Sequence, residues 1–212
     1  WVPTEEGTGF VGLAAAYVSA TGGSPCTGDI VCTNYKVHSF TGPGTFIVNC
    51  AGNSGGSNTV DYMVVAGGGG GGGGGDAAGG GGAGGYRYTA GTASGCYSAG
   101  PAPLAAAAIP VPATPYPITI GGGGAASPGS PTPDSRGTSG GDSTFSSITS
   151  TGGGGGGGGP SAVTPTYSSG RPGGSGGGAA TSCAVSGCVG AGDTPSVSPP
   201  QGFDGGTGAS DN

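Results

Sequence analysis

One histidine, six cysteines and ten carboxylates are the groups of this chain that could do chemistry. His38 would have to serve any Ser–His–Asp relay. It shares a β-prone stretch with Phe40, a setting that suits a structural, hydrogen-bonded imidazole better than a general base. A hydrolytic pair needs two carboxyl groups held across one bond, and the carboxylates here are scattered. Asp76, Asp134, Asp142 and Asp193 stand in turn-rich sequence, where an aspartate caps nearby backbone N–H groups. Gly-x-Gly-x-x-Gly matches arise by chance throughout the glycine runs. A phosphate loop also requires a lysine after its glycines, whereas Lys36 precedes every run. Acidic turns and abundant carbonyls raise calcium, but neither EF-hand nor nonapeptide spacing is present. The expectation is a protein that is not an enzyme and uses no cofactor and no metal.

The cysteines pair along the chain as Cys26 with Cys32 and Cys183 with Cys188, leaving Cys50 and Cys96. Weakly cored proteins outside the cytosol often compensate with disulfides. Free thiols acting as small apolar filler are the alternative. Zinc is disfavoured, because His38 is the only histidine that could help. The spacing favours disulfides without giving their connectivity.

These residues are carried by an unusual chain. Glycine supplies 58 of 212 residues, and charged residues make up 7%, against roughly a quarter in an average soluble domain. Leucine occurs only as Leu13 and Leu104, so an ordinary aliphatic core is out of reach. The 18 prolines are scattered and the glycines come in blocks, which excludes the strict period of collagen. Net charge is −6. The only cations besides Lys36 are Arg87, Arg136 and Arg171, too few for a nucleic-acid surface. No apolar stretch reaches the roughly 18 residues of a membrane helix, so neither nucleic acid nor membrane insertion is expected. Residues 10–20 are mildly apolar, but Glu5 and Glu6 sit where a signal peptide carries basic residues. The chain opens on Trp1 rather than Met, so an upstream piece is expected to be missing.

Two β-prone runs flank Thr41-Gly42-Pro43-Gly44 and predict a hairpin over 37–48. Residues 60–66 read as a strand. A mainly-β part over 1–66 is therefore expected. Beyond it a unit recurs: an extended lead-in runs into polyglycine at Gly67 to Gly75, at Gly121 to Gly124 and at Gly152 to Gly159. Proline, serine, threonine and most aromatics lie in the segments between.

A glycine run is either a flexible linker or an ordered polyproline-II-type helix. The latter has three residues per turn, about 3.1 Å rise, and all its backbone groups pointing outward. Without Cβ atoms, such helices can pack closely and pair those groups with one another. β-branched lead-ins that set register, and recurrence of the runs, favour order. The expected fold is thus a small mainly-β N-terminal part followed by a polyglycine-II helix bundle over 67–212. It should have irregular loops and almost no α-helix.

The series Tyr35-Lys36-Val37-His38-Ser39-Phe40, Thr41-Gly42-Pro43-Gly44-Thr45-Phe46, Val60-Asp61-Tyr62-Met63-Val64-Val65-Ala66 and the run after it resembles the glycine-rich domain of phage structural proteins. Pro117-Ile118-Thr119-Ile120-Gly121, Ser143-Thr144-Phe145 and Ser198-Pro199-Pro200-Gln201-Gly202 also look like that family. The likeness covers about residues 33–208. It implies a virion protein of tail fibres or appendages of marine and cyanobacterial phages. More distantly, the chain is similar to tip adhesins of T-even-like phages, whose polyglycine-II sandwich carries variable binding loops. Two departures stand out. Family members usually carry another glycine block after Pro-Pro-Gln, whereas this chain stops at Asn212, so C-terminal truncation is expected. The cysteines are not part of the family pattern.

The function this implies is host-surface attachment from the virion surface, an extracellular location. Partners would be a cell-surface receptor, either a saccharide or an outer-membrane protein, and other fibre proteins, with a homotrimer natural for a fibre. Tyr86, Tyr88, Tyr97, Tyr116 and Tyr167 are the candidate receptor contacts, since tyrosine offers stiff, amphipathic contact area. A purely structural role as fibre shaft, capsid decoration or filament subunit is the alternative. Ice binding, by similarity to glycine-rich antifreeze proteins, is a third, and the Pro- and Tyr-bearing insertions disfavour it.

Overall fold

A computed structural model describes residues 14–31, 35–74, 78–91, 105–129, 135–159, 165–181, 183 and 186–208. Strands dominate. Among the described residues, helix is confined to one turn, α1 (Pro165–Ser168), and a 3-10 turn, Ser186–Cys188. The mainly-β, helix-poor expectation holds.

Five strands form an antiparallel sheet in the order β1 (Val18–Thr21), β4 (Gly44–Ala51), β9 (Pro115–Thr119), β10 (Ser143–Phe145) and β11 (Ile148–Ser150). β4 alternates, burying Phe46 and Val48 while Ile47 faces out, the two-residue period of a half-buried strand. β10 and β11 join through a tight turn whose first residue, Ser146, takes φ 54°. The core is small: Ala20, Phe46, Val48, Tyr62, Val64, Val111, Ile118, Phe145 and Ile148. Phe145 stands edge-on to Phe46 at 5.8 Å and to Tyr116 at 6.0 Å. Burial pushes the pKa of the Tyr62 hydroxyl up, with the charge of Arg87 working against it.

The hairpin expected over 37–48 does not form. β3 (Tyr35–Val37) pairs with β2 (Asp29–Val31), and β4 takes β1 and β9 as neighbours. Residues 38–40 instead lie against the segment that follows β1, where Ser24 N–H donates to Ser39 O. There His38 Nδ1 donates to Gly22 O at 2.8 Å, and the ring packs edge-on to Phe46. The strand expected over 60–66 is divided into β5 (Thr59–Val60) and β6 (Met63–Val65). Between them Tyr62 turns to Thr89: its N–H donates to Thr89 Oγ1, and Thr89 N–H donates to Tyr62 O. β5 then pairs with β8 (Ile109–Pro110), and β6 with β7 (Tyr86–Tyr88). Three of the five sheet strands come from beyond residue 66, so the sheet spans the division drawn from the sequence.

Two glycine runs leave a strand and are each followed by a second run that returns to one. The 67–73 run follows β6, and 79–85 leads back into β7. The 121–127 run follows β9, and 135–141 leads back into β10; 152–159 follows β11. The runs bond to one another through their backbones with a period of three. Amides of Gly67, Gly70 and Gly73 donate to carbonyls of Gly141, Thr138 and Ser135, while those of Gly69 and Gly72 donate to Gly82 and Gly79. Amides of Gly153, Gly156 and Gly159 donate back to Gly67, Gly70 and Gly73. Gly124 N–H reaches Gly68 O, and Gly121 N–H and Gly152 N–H are met by Ser143 Oγ and Asp142 Oδ1. Gly75 lies outside the described residues.

Positive φ does not explain these glycines. Among the described glycines it occurs at Gly22, Gly23, Gly28, Gly52, Gly74, Gly91 and Gly129, all outside the bonded rows. Close approach does explain them. A Cβ on Gly155, Gly156 or Gly154 would overlap the backbone of Gly137, Gly79 or Arg171 respectively, so successive residues press on three different neighbours. Residues 152–159 are all buried.

Gln201 locks the sheaf to the sheet. It is 3% exposed. Its Oε1 accepts from Thr151 N–H, its Nε2 donates to Thr151 Oγ1 and Pro195 O, and its carbonyl accepts from Tyr86 N–H. Gln201→Ala strands the half-buried Thr151 amide and should destabilise the protein by about 1–3 kcal/mol, read as a lower midpoint in urea.

Candidate functional site

The runs give the sheaf two ends. At the sheet end, Ala66, Gly85 and Thr151 lie at one level, joined by Ala66 N–H to Gly85 O and Gly85 N–H to Thr151 O. At the distal end, Gly73 bonds Ser135 and Gly159, Gly79 bonds Gly157, and Gly158 bonds Tyr167. Six residues at about 3.1 Å each would separate the levels by about 19 Å. The intervals 75–77, 130–134 and 160–164 and the turn around 181–187 are all entered and left at the distal end. This is where loops on a scaffold can gather contacts.

Two side-chain features mark that end. The Arg136 guanidinium lies 5.5 Å over the Tyr167 ring, a cation–π arrangement. Cys183 and Cys188 form a disulfide, Cα atoms 5.9 Å apart, with both residues buried against Ala179. A Cys183→Ser, Cys188→Ser double variant should lose about 2 kcal/mol through the short loop it reopens, read as a lower melting temperature.

The expected tyrosine contacts do not share one surface. Tyr86 is 44% exposed, with its ring 5.0 Å from Tyr88. Tyr88 is only 8% exposed and belongs to the packed interior, not to a contact surface. Tyr116 is half-buried against Phe145, its hydroxyl donating to Pro112 O at 3.2 Å. These three stand at the sheet end, and Tyr167 at the other. Tyr97 lies outside the described residues.

The pairing of Cys26 with Cys32 is corrected: Cys26 is a free, exposed thiol in the turn leading from β1 to β2. Cys32 and Cys96 are outside the described residues, and Cys50 is free and exposed. Asp142, Asp193 and Asp204 act as backbone caps. Asp193 accepts from Ser196 Oγ and from the amides of Val197 and Gln201, and Asp204 accepts from Gly192 N–H. Asp76 and Asp134 are outside the described residues. No group of three or more His, Cys, Asp or Glu among the described residues could hold a metal ion. No helix among them is long and apolar enough to cross a membrane. Sequence reasoning missed Arg136, whose only signal is its place beside an interval rich in Ser, Thr and Pro.

A family model described as a glycine-rich domain matches residues 38–212. No curated protein and no solved structure matches the chain significantly.

Proposed function

The chain belongs to the glycine-rich domain family, and we propose that it is the host-attachment module of a phage tail fibre or adhesin, built on a polyglycine-II bundle. The three-residue bonding period supports the bundle, since three residues make one turn of that helix. So does the absence of positive φ from the glycines of the bonded rows. In such a bundle nearly every backbone group of the interior is paired, which makes up for the small apolar core. The observation that carries the attachment reading is the gathering of the loop-bearing intervals at the end farthest from the sheet. A rigid sheaf would hold them there for a saccharide or an outer-membrane protein, without an ordering cost at binding.

Immunogold labelling of purified phage particles and competition with phage adsorption test this together. Label at a fibre tip, with the isolated protein blocking adsorption, is the expected result. Label along a shaft or on the capsid, without competition, would move the protein to a purely structural role. Particles that carry no label would remove it from the virion.

A further inference from the structure

Run 174–180 bonds five neighbouring segments. Its amides donate to 79–85 (Gly178 to Gly80, Ser175 to Ala83), to 202–208 (Gly176 to Phe203, Ala179 to Gly206) and to 168–171 (Gly177 to Arg171, Ala180 to Ser168). Its carbonyls accept from 152–159 (Gly154 to Ser175, Gly157 to Gly178) and from 188–193 (Gly190 to Gly177, Asp193 to Gly174). These neighbours are also bonded to one another in sequence around it: 79–85 to 152–159, then to 168–173, then to 188–191, then to 202–208. The ring is broken in one place, between 202–208 and 79–85, where no hydrogen bond joins the described residues.

A groove of about 640 Å³ lies in that break, with 79–83 and 204–208 as walls and Ser175, Gly178 and Thr181 along its floor. Outward from Gly178, a Cβ would lie 3.5 Å from Gly80 N and 3.6 Å from Gly206 O, in ordinary contact with both walls. The backbone groups left over match the missing neighbour. On the floor, the carbonyls of Gly176 and Ala179 have no partner among the described residues, although both residues are buried. On the walls, the amides of Gly80, Ala83, Phe203 and Gly206 have none either. The bonding rows alternate donor and acceptor around run 174–180. A sixth segment would donate to the floor and accept from the walls.

We infer that this groove is a vacant position of the sheaf, and that it takes an extended glycine-rich segment of another polypeptide. The inference rests on the polyglycine-II reading but not on the attachment reading. The occupant follows from continuity with the existing rows. Run 79–85 has three bonded neighbours and is glycine throughout except at Ala83. Run 202–208 has two, and needs glycine chiefly at Gly202, Gly205 and Gly208, where a Cβ would overlap Gly174, Gly177 and Ala180. A segment with three walls should therefore be nearly all glycine over about two turns, or six residues. An ordinary side-chain-bearing strand would collide with a wall at every third position.

The test uses the intact protein, labelled with nitrogen-15, and a nonaglycine peptide flanked by lysines. A nona-alanine peptide with the same flanks controls for charge. The glycine peptide should shift the amide signals of Gly80, Ala83, Phe203 and Gly206 and slow their hydrogen exchange about tenfold or more. The alanine peptide should do neither. Gly178→Val, whose Cβ the fold accommodates, should fill the groove and weaken binding at least about tenfold. Ser175→Leu gives a second obstruction on the same floor.

Unshifted wall amides would overturn the vacancy. So would binding undiminished by both variants, or an oligosaccharide shifting the same amides when the peptide does not. Exchange of Gly153 and Gly156 in the free protein at random-coil rates would instead bring down the polyglycine-II reading itself.

Discussion

Gly156→Val should yield no native protein. Its side chain would start on the carbonyl of Gly79, a backbone atom that cannot swing aside as a flexible side chain can. Gly79 is itself held, donating to Gly157 O and accepting from Gly72 N–H. Displacing it drags the 67–73 run, which bonds 135–141 and 152–159 in turn. Each buried backbone group left unpaired costs about 1–3 kcal/mol, so the loss of a few bonds reaches the roughly 5–15 kcal/mol that holds a typical domain together. Alanine at the same position should do nearly as much harm, because the overlap begins at Cβ. Gly80→Ala, Gly122→Ala and Gly206→Ala make the contrast, since a Cβ there meets nothing within 4 Å. These three should melt within about 0.5 kcal/mol of the parent. Circular dichroism melts and amide spectra of the five variants decide the matter. A Gly156→Val protein that folds with parental stability would sink the close-packed account of the runs.

That contrast shows what was legible in the sequence. Where a run is enclosed, as at 152–159, glycine is unbroken. Where one face is open, a side chain returns on that face: Ala83 stands three residues after the open Gly80, Ala125 three after the open Gly122, and Phe203, 70% exposed, three before the open Gly206. The spacing of the interruptions, more than the length of the runs, therefore reports which segments are interior. Capping by Asp142 and Asp193 was likewise legible, because it is a local matter of turn residues and nearby amides.

Long-range pairing was not legible. The 37–48 stretch has every local sign of a hairpin. But β4 gains more by burying Phe46 and Val48 between β1 and β9, a strand about 70 positions on. The exposure of the tyrosines was not legible for a related reason. Tyr86 and Tyr88 stand two apart on β7 and so share one face of the strand, yet Tyr86 is exposed and Tyr88 buried, a difference set by distant segments and not by composition or strand period. That 75–77, 130–134 and 160–164 are all flanked by one end of the runs depends on the order in which the runs alternate direction. That order follows from strand pairing, and no single motif carries it.

Replacing 75–77, 130–134 and 160–164 together by Gly-Ser tracts of equal length should leave the sheaf folded and abolish host adsorption. These intervals leave from bonded ends, such as Gly73 with Ser135 and Gly159 with Gly73, so the rows do not depend on what joins them. Closing a flexible loop of unchanged length costs little more than closing the original, and the melting temperature should stay close to that of the parent. Binding is different in kind. Under the attachment reading the contacts belong to the replaced segments, and a Gly-Ser tract offers no stiff surface and must be ordered at binding. Affinity for cells should fall about a hundredfold or more, about 2.7 kcal/mol.

The same replacement at 92–104, whose flanking residues belong to the sheet end, removes Tyr97 and tests the other end. Under the attachment reading it leaves adsorption intact. A folded protein that loses adsorption through 92–104, and keeps it through the three distal replacements, would place the receptor surface beside Tyr86. The sheaf would then be the stalk that holds that surface, with the opposite end directed into the particle.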